Sequence, residues 1–220
     1  MTPLTVLLTG FGPFPGAPYN PTGPLVRRLA RIRRPSLADV RLITHVFPTS
    51  YRAVDDELAR LLIELKPDVM LMFGLAPGSQ CLRVETRARN AISALIRDVE
   101  GHLSFATSIA AGGPGALRFN VPAPRLALAA RAARVPALPS RDAGRYLCNY
   151  LCWRALESAA KPEGPRLVTF VHVPKPRRGP ARRNAHRRYP LHMAELVRGG
   201  QAILMTVVAA ARARRRMNEV

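Results

Sequence analysis

Short apolar runs separated by amphipathic stretches constrain this chain more than any other feature. Leu4 to Thr9, Arg41 to Phe47, Val69 to Leu75 and Leu167 to Val173 have strand length and are rich in leucine and β-branched residues. Val69 to Leu75 is apolar from end to end, as expected of a strand covered on both faces. Between these runs, Leu25, Val26, Leu29 and Ile32 recur at helical spacing, and Val54 to Leu65 reads as an amphipathic helix. Strands that alternate with helices need crossover connections, and those belong to parallel sheets. The expected fold is α/β: a three-layer α/β/α sandwich around a mostly parallel twisted sheet. One domain over residues 1–220 is expected, because 220 residues with 48% hydrophobic content suffice for one substantial core.

The segments around these runs locate the loops. Leu4 to Thr9 leads into Gly10-Phe11-Gly12-Pro13-Phe14-Pro15-Gly16, a rigid loop, and Asn20-Pro21-Thr22 offers capping oxygens to a helix that should run up to Pro35. Leu82 to Ala88 alternates, so a strand there would carry Arg83, Glu85 and Arg87 on one face. Gly101 to Pro139 predicts an excursion followed by one helix around Arg125 to Arg134. Asp142 is the expected cap of a helix through Leu147, Leu151 and Leu156, and Pro174 closes the strand after it. Arg177 to Arg188 reads as an exposed connection, and a last helix is expected from about Leu191 to Arg214. The longest apolar run, Ala202 to Ala211 with Thr206 inside it, is about half of the roughly 18 residues a membrane span needs, so no membrane partner is expected.

Composition narrows the chemistry. Three cysteines, Cys81, Cys148 and Cys152, are too few and odd in number for a disulfide framework. The residues before Val6 carry no secretory pattern, so a reducing, cytoplasmic setting is expected. No C-x-x-C pair occurs and the five histidines have no zinc-site spacing, so no structural metal is expected. The net charge of +20 is almost all arginine spread along the chain, with lysine only at Lys66, Lys161 and Lys175. Clusters at Arg27 to Arg34, Arg177 to Arg188 and Arg212 to Arg216 predict nonspecific attraction to nucleic acid rather than a dedicated role. The glycine loop is a poor phosphate cradle, because Pro13 and Pro15 remove amide donors and no acidic residue precedes Asp39.

Two residues stand where chemistry could occur. Cys148 lies near the start of a predicted helix, where free amides and the helix dipole favour an anion. His172 lies near the end of a buried strand, at the sheet edge where open α/β folds place their sites. Taken singly, each reads more readily as core: a small hydrophobe and a satisfied histidine. Phe11 and Phe14 divide evenly between core filling and ligand contact.

Leu8 to Phe14 with Asn20-Pro21-Thr22, Gly74-Leu75-Ala76-Pro77-Gly78, Val84-Glu85 through Asn90, Ala143 to Asn149 and Phe170 to Pro174 follow one another in a telling order. They resemble the successive motifs of the pyroglutamyl-peptidase I (pyrrolidone-carboxylate peptidase) family of cysteine peptidases. The likeness extends to Ala185 to Ile203 through Pro190, Met193, Val197 and Gly199. It implies removal of an amino-terminal pyroglutamate through a thioester, with Cys148 as nucleophile, His172 as general base and acid, and Glu85 orienting the imidazole. It further implies that Phe11 and Phe14 sandwich the lactam, that Tyr146 and Leu147 line it, and that Asn20 and the backbone near Leu75 bond to it. No cofactor is implied, and a homotetramer is. This chain departs from the family at Leu95, where an arginine usually stands, at Pro77 for glycine and at Ser79 for arginine. Those departures support an alternative, a weakened relative that binds a peptide or partner without efficient turnover.

Overall fold

Leu4–Phe11 forms strand β1, followed by helix α1 (Thr22–Ala30), strand β2 (Val40–Phe47), helix α2 (Tyr51–Leu65) and strand β3 (Val69–Leu75). These are the alternating elements that the apolar periodicity predicts. Next come β4 (Leu82–Glu85), β5 (Arg87–Arg89), β6 (Ala116–Arg118), α3 (Ala123–Ala132) and β7 (Ala137–Ser140). Helix α4 (Leu147–Ala159), β8 (Leu167–Val173) and α5 (Met193–Met217) follow among the described residues. This computed structural model describes residues 2–14, 16–177 and 191–217. Pro15, most of the predicted basic connection to Arg188, and the Ala185 to Pro190 part of the family likeness lie outside the described residues.

The main sheet has the order β2-β1-β3-β8-β4-β7. The pairings β2–β1, β1–β3 and β3–β8 are parallel, as crossovers through helices require, while β4 runs antiparallel to β8 and parallel to β7. Period-two alternation divides the side chains into two cores. Leu4, Val6 and Leu8 of β1 and Val69, Leu71 and Phe73 of β3 pack with α1, α3 and α5. Leu7, Met70, Met72, Val168 and Phe170 pack with α2 and α4 on the other face. This is the expected α/β/α sandwich around a mostly parallel sheet.

Several local expectations are corrected. Helix α1 stops at Ala30 rather than at Pro35, because Arg31 and Ile32 already donate to carbonyls three residues back, a tighter turn that ends the α spacing. The run from Leu82 to Ala88 is not one strand. The Thr86 amide and hydroxyl both donate to the Ser140 carbonyl, and the chain crosses from the main sheet to a small β5–β6 ribbon, carrying Arg87 off to the Arg141 carbonyl. Asp142 does not cap α4. Its carboxylate accepts the Gly144 amide and pairs with Arg89, while Tyr146 precedes the helix without a side-chain cap. β6 and β7 are short strands inside segments expected to be loop.

Helix α5 is long and apolar enough for a membrane span by length and composition, although its longest apolar run, Ala202 to Ala211, is interrupted by Thr206. Its stripe of Leu196, Gly199, Gly200, Ile203, Leu204, Val207, Val208 and Ala211 is buried within the protein, in the core that α5 shares with α1, α3 and the sheet.

Candidate active site

The carboxyl ends of β1, β3 and β8 meet the amino end of α4, as expected for a site on an open parallel sheet. A cavity of about 270 Å³ opens there, lined by Phe11, Phe14, Asn20, Leu75, Tyr146, Leu147, Cys148 and His172, together with Thr49, Ala76, Arg83, Asp142, Ala143 and Gly144. Eight of the nine residues singled out in the sequence thus lie around one space. The ninth, Glu85, is fully buried behind His172.

The β1–α1 loop shapes one wall. Gly10 lies so close to the start of α1 that an added Cβ would sit 2.8 Å from the Thr22 carbonyl carbon, a separation only glycine permits. Phe14 and Ala17 exchange backbone hydrogen bonds of 3.2 and 2.8 Å around Gly16, whose φ of 86° suits glycine. Asn20 braces this loop: its Nδ2 donates to the Gly12 carbonyl (3.0 Å), and its Oδ1 accepts from the Thr22 amide and hydroxyl. One N–H of its amide group is left over from these bonds. Phe11 is buried against Phe47, and Phe14 packs on Tyr146 with ring centroids 6.5 Å apart. Tyr146 donates its hydroxyl to the Arg97 carbonyl, and burial first, then Asp98 and Cys148, push its pKa up to about 12.

The opposite wall holds His172 and Cys148. His172 Nδ1 and Glu85 Oε1 are 2.8 Å apart in a buried pair. A carboxylate partner fixes the proton on Nδ1 and leaves Nε2 for a second group. Burial alone would depress the imidazole pKa; the nearby Cys148 and then Glu85 outweigh it and raise it to about 9. Cys148 is the second residue of α4. The amides of Leu147, Cys148 and Asn149 precede the first backbone bond of the helix, from the Tyr150 amide to the Tyr146 carbonyl, so the sulfur lies beside the positive end of the dipole. By contrast, the fully buried Cys152 is pushed well above the ordinary thiol range by desolvation.

Two fixtures hold the sulfur in place. A Cβ on Gly74 of β3 would lie 2.7 Å from Cys148 Sγ, so the thiol rests on bare backbone. The buried Asn149 side chain accepts the Arg89 amide and donates to the Arg89 and Ala91 carbonyls, fastening the first turn of α4 to β5. Neither residue was singled out from sequence, although a glycine inside an apolar strand is a recognised sign of close approach. Arg83 and Asp142 also line the cavity unforeseen; the shared strand face of Arg83 and Glu85 was the available signal. Leu95 is 92% exposed, and neither it nor Arg97, Pro77 or Ser79 lines the cavity. No group of three His, Cys, Asp or Glu side chains suited to a metal occurs among the described residues.

The pyroglutamyl peptidase family model matches residues 4–206. The chain belongs to the pyroglutamyl peptidase family. It is similar to the pyrrolidone-carboxylate peptidase of Pyrococcus furiosus, with 34% identity over 171 residues, 78% of this chain and 81% of that one. It is 37% identical to that of Cupriavidus pinatubonensis over 77% of this chain and 78% of the relative. Among solved structures, a mutant pyrrolidone carboxyl peptidase from P. furiosus superposes with a TM-score of 0.82 at 27% identity, covering 94% of this chain and 99% of that one. Pyroglutamyl peptidase I of Bacillus amyloliquefaciens gives 0.80 at 26% identity, covering 93% and 97%. The sheet with helices on both faces is therefore the pyroglutamyl peptidase fold.

Proposed function

We infer that this chain is a cysteine exopeptidase that hydrolyses the amide bond after an amino-terminal pyroglutamyl residue. The observation that carries the site assignment is the Glu85–His172 pair beside a cysteine at a helix start, with His172 and Cys148 lining one cavity and Glu85 buried behind. His172 Nε2 takes the Cys148 proton, and the sulfur attacks the pyroglutamyl carbonyl. The amides opening α4 are aimed at the oxyanion that develops. His172 then protonates the departing amine, leaving a pyroglutamyl thioester on Cys148. Water adds to the thioester with its proton going to His172, and collapse returns the proton to the sulfur and releases pyroglutamate. Glu85 holds the imidazole in the Nδ1–H tautomer throughout and stabilises its charged form.

The cavity supports the substrate reading. Pyroglutamate is a neutral lactam, and Phe11, Phe14, Leu75, Tyr146 and Leu147 offer an apolar slot of a size suited to one small ring. The remaining Asn20 N–H is the donor for the lactam carbonyl. A free α-ammonium would find only the Asp142 carboxylate at the rim, already engaged by Arg89 and the Gly144 amide. A reducing, cytoplasmic setting goes with this reading, since all three cysteines are free and the nucleophile must be a thiol. A homotetramer is part of the same proposal and rests on family likeness. The test is release of aminomethylcoumarin from its pyroglutamyl amide, compared with the prolyl and alanyl amides, by the wild-type protein and Cys148→Ser. Release confined to the pyroglutamyl compound and abolished by the substitution is expected; release independent of Cys148 refutes the assignment.

A further inference from the structure

Glu85 is fully buried, yet its Oε2 has no hydrogen-bond partner among the described residues and its Oε1 takes only His172. An ionised carboxylate in such surroundings needs a compensating charge. Arg83 supplies it. Its Nη2 lies 3.6 Å from Glu85 Oε1, the same oxygen that holds the imidazole. The guanidinium cannot drift far: Nε and Nη2 donate to Ser140 Oγ at 3.2 and 2.7 Å, and Nη2 also donates to the Asp142 carbonyl at 2.6 Å. In the β4–β8 ladder Arg83 lies directly opposite His172, and it lines the cavity, with its side chain 31% exposed. Leu95, where the family resemblance implies an arginine, lies in a loop and points to solvent, so the cation beside this pair comes from β4 instead.

We propose that Arg83 is a positioning residue: clamped by Ser140 and Asp142, it holds Glu85 as the charged partner of His172 and biases the whole coupled site toward its anionic forms. The other groups facing this pair are Cys148 and Cys152 from α4 and the Asp142 carboxylate, which is shared with Arg89. Withdrawing a fixed positive charge raises every titration in such a set, so both limbs of the pH profile should slide to higher pH together. This rests on the peptidase reading for its rate measurements but not for its thiol chemistry.

The experiment compares wild type, Arg83→Met, Arg83→Lys and Ser140→Ala, the last leaving the arginine held by the Asp142 carbonyl alone. Two quantities are followed against pH: kcat/KM on pyroglutamyl-aminomethylcoumarin, and the rate of Cys148 alkylation by iodoacetamide, read by peptide mass mapping. Arg83→Met should lower kcat about tenfold at neutral pH with KM changed less than about threefold. It should also move both the activity limbs and the alkylation curve up by about half a unit or more. Arg83→Lys and Ser140→Ala should fall between it and wild type. A drop in activity or melting temperature with unmoved curves would make Arg83 merely structural and overturn the proposal, as would an unchanged variant. If wild type failed to cleave the pyroglutamyl compound while the alkylation curves still shifted, the substrate reading would fall and the Arg83 proposal would stand.

Discussion

Replacing Gly74 by alanine probes the seat of the Cys148 sulfur with one methyl group. The new Cβ would lie 2.6 Å from Phe170 Cζ and 2.7 Å from Cys148 Sγ. Ordinary contacts are about 3.5–4.0 Å, so about 1 Å of overlap must be relieved. Phe170 cannot easily give way, being fully buried and packed edge-on against His172 with centroids 4.9 Å apart. The sulfur borders an open cavity and can swing about its χ1, so it is the group that moves. A displacement of about 1 Å at a reacting atom costs on the order of a hundredfold in rate, and that is the expected loss in kcat/KM. Residual pressure on Phe170 should destabilise the protein by about 1–3 kcal/mol, less the small gain from removing a strand glycine. Steady-state assays give the first quantity and denaturant unfolding the second. The double variant Gly74→Ala/Cys148→Ala isolates the sulfur, because without Sγ one of the three close contacts is gone and the destabilisation should shrink. A Gly74→Ala enzyme within threefold of wild type in kcat/KM, with unchanged stability, would show that the thiol does not rest where the geometry puts it.

Asn149→Ala leaves the Arg89 amide and the Arg89 and Ala91 carbonyls without their partner; unfolding free energy should fall by about 2–4 kcal/mol, and chemical denaturation that shows less than about 1 would contradict the anchoring role. His172 predicts a pH dependence of stability. Its folded pKa of about 9 lies above its ordinary 6.5, so its contribution is complete below about pH 6.5 and is lost as pH rises through 9. Because Cys148 is the largest influence raising that value, Cys148→Ala should flatten the decline between pH 6.5 and 9.5, and parallel wild-type and variant curves would count against the coupling.

The sheet was legible because its apolar runs are long and regular: β3 and β8 fall where Val69 to Leu75 and Leu167 to Val173 predict them, residue for residue. The errors arise where a backbone group finds a partner distant in sequence. Thr86 breaks the alternating run because Ser140, 54 residues away, takes its hydroxyl and its amide, and no local pattern encodes that meeting. Asp142 has a capping side chain near a helix start, but a left-handed Gly144 turns the chain so that it closes a local turn instead. At the site, spacing alone could not bring residues 85, 148 and 172 together; motif order against a known family did what periodicity could not. Arg83 and Gly74 escaped for opposite reasons. Charge alternation is too common to single out one arginine, and a glycine's role here is the absence of atoms.

The reversal of β4 against β8 explains why these particular residues fall into a sequence from mouth to floor. Because β4 starts beside the carboxyl end of β8 and runs back along it, Arg83 stands opposite His172 and Val84 opposite Val171. The next residue on the same face as Arg83 is two positions deeper. That residue is Glu85, and the burial follows: Arg83 keeps 31% of its side chain exposed while Glu85 keeps none. A parallel β4 would run Arg83 to Glu85 outward and set the carboxylate nearer water, where it would hold an imidazole less firmly. The single antiparallel pairing among the described strands of the main sheet is therefore tied to the chemistry: it sinks the negative charge beneath the histidine and leaves the compensating cation at the edge, where substrate and solvent can reach it.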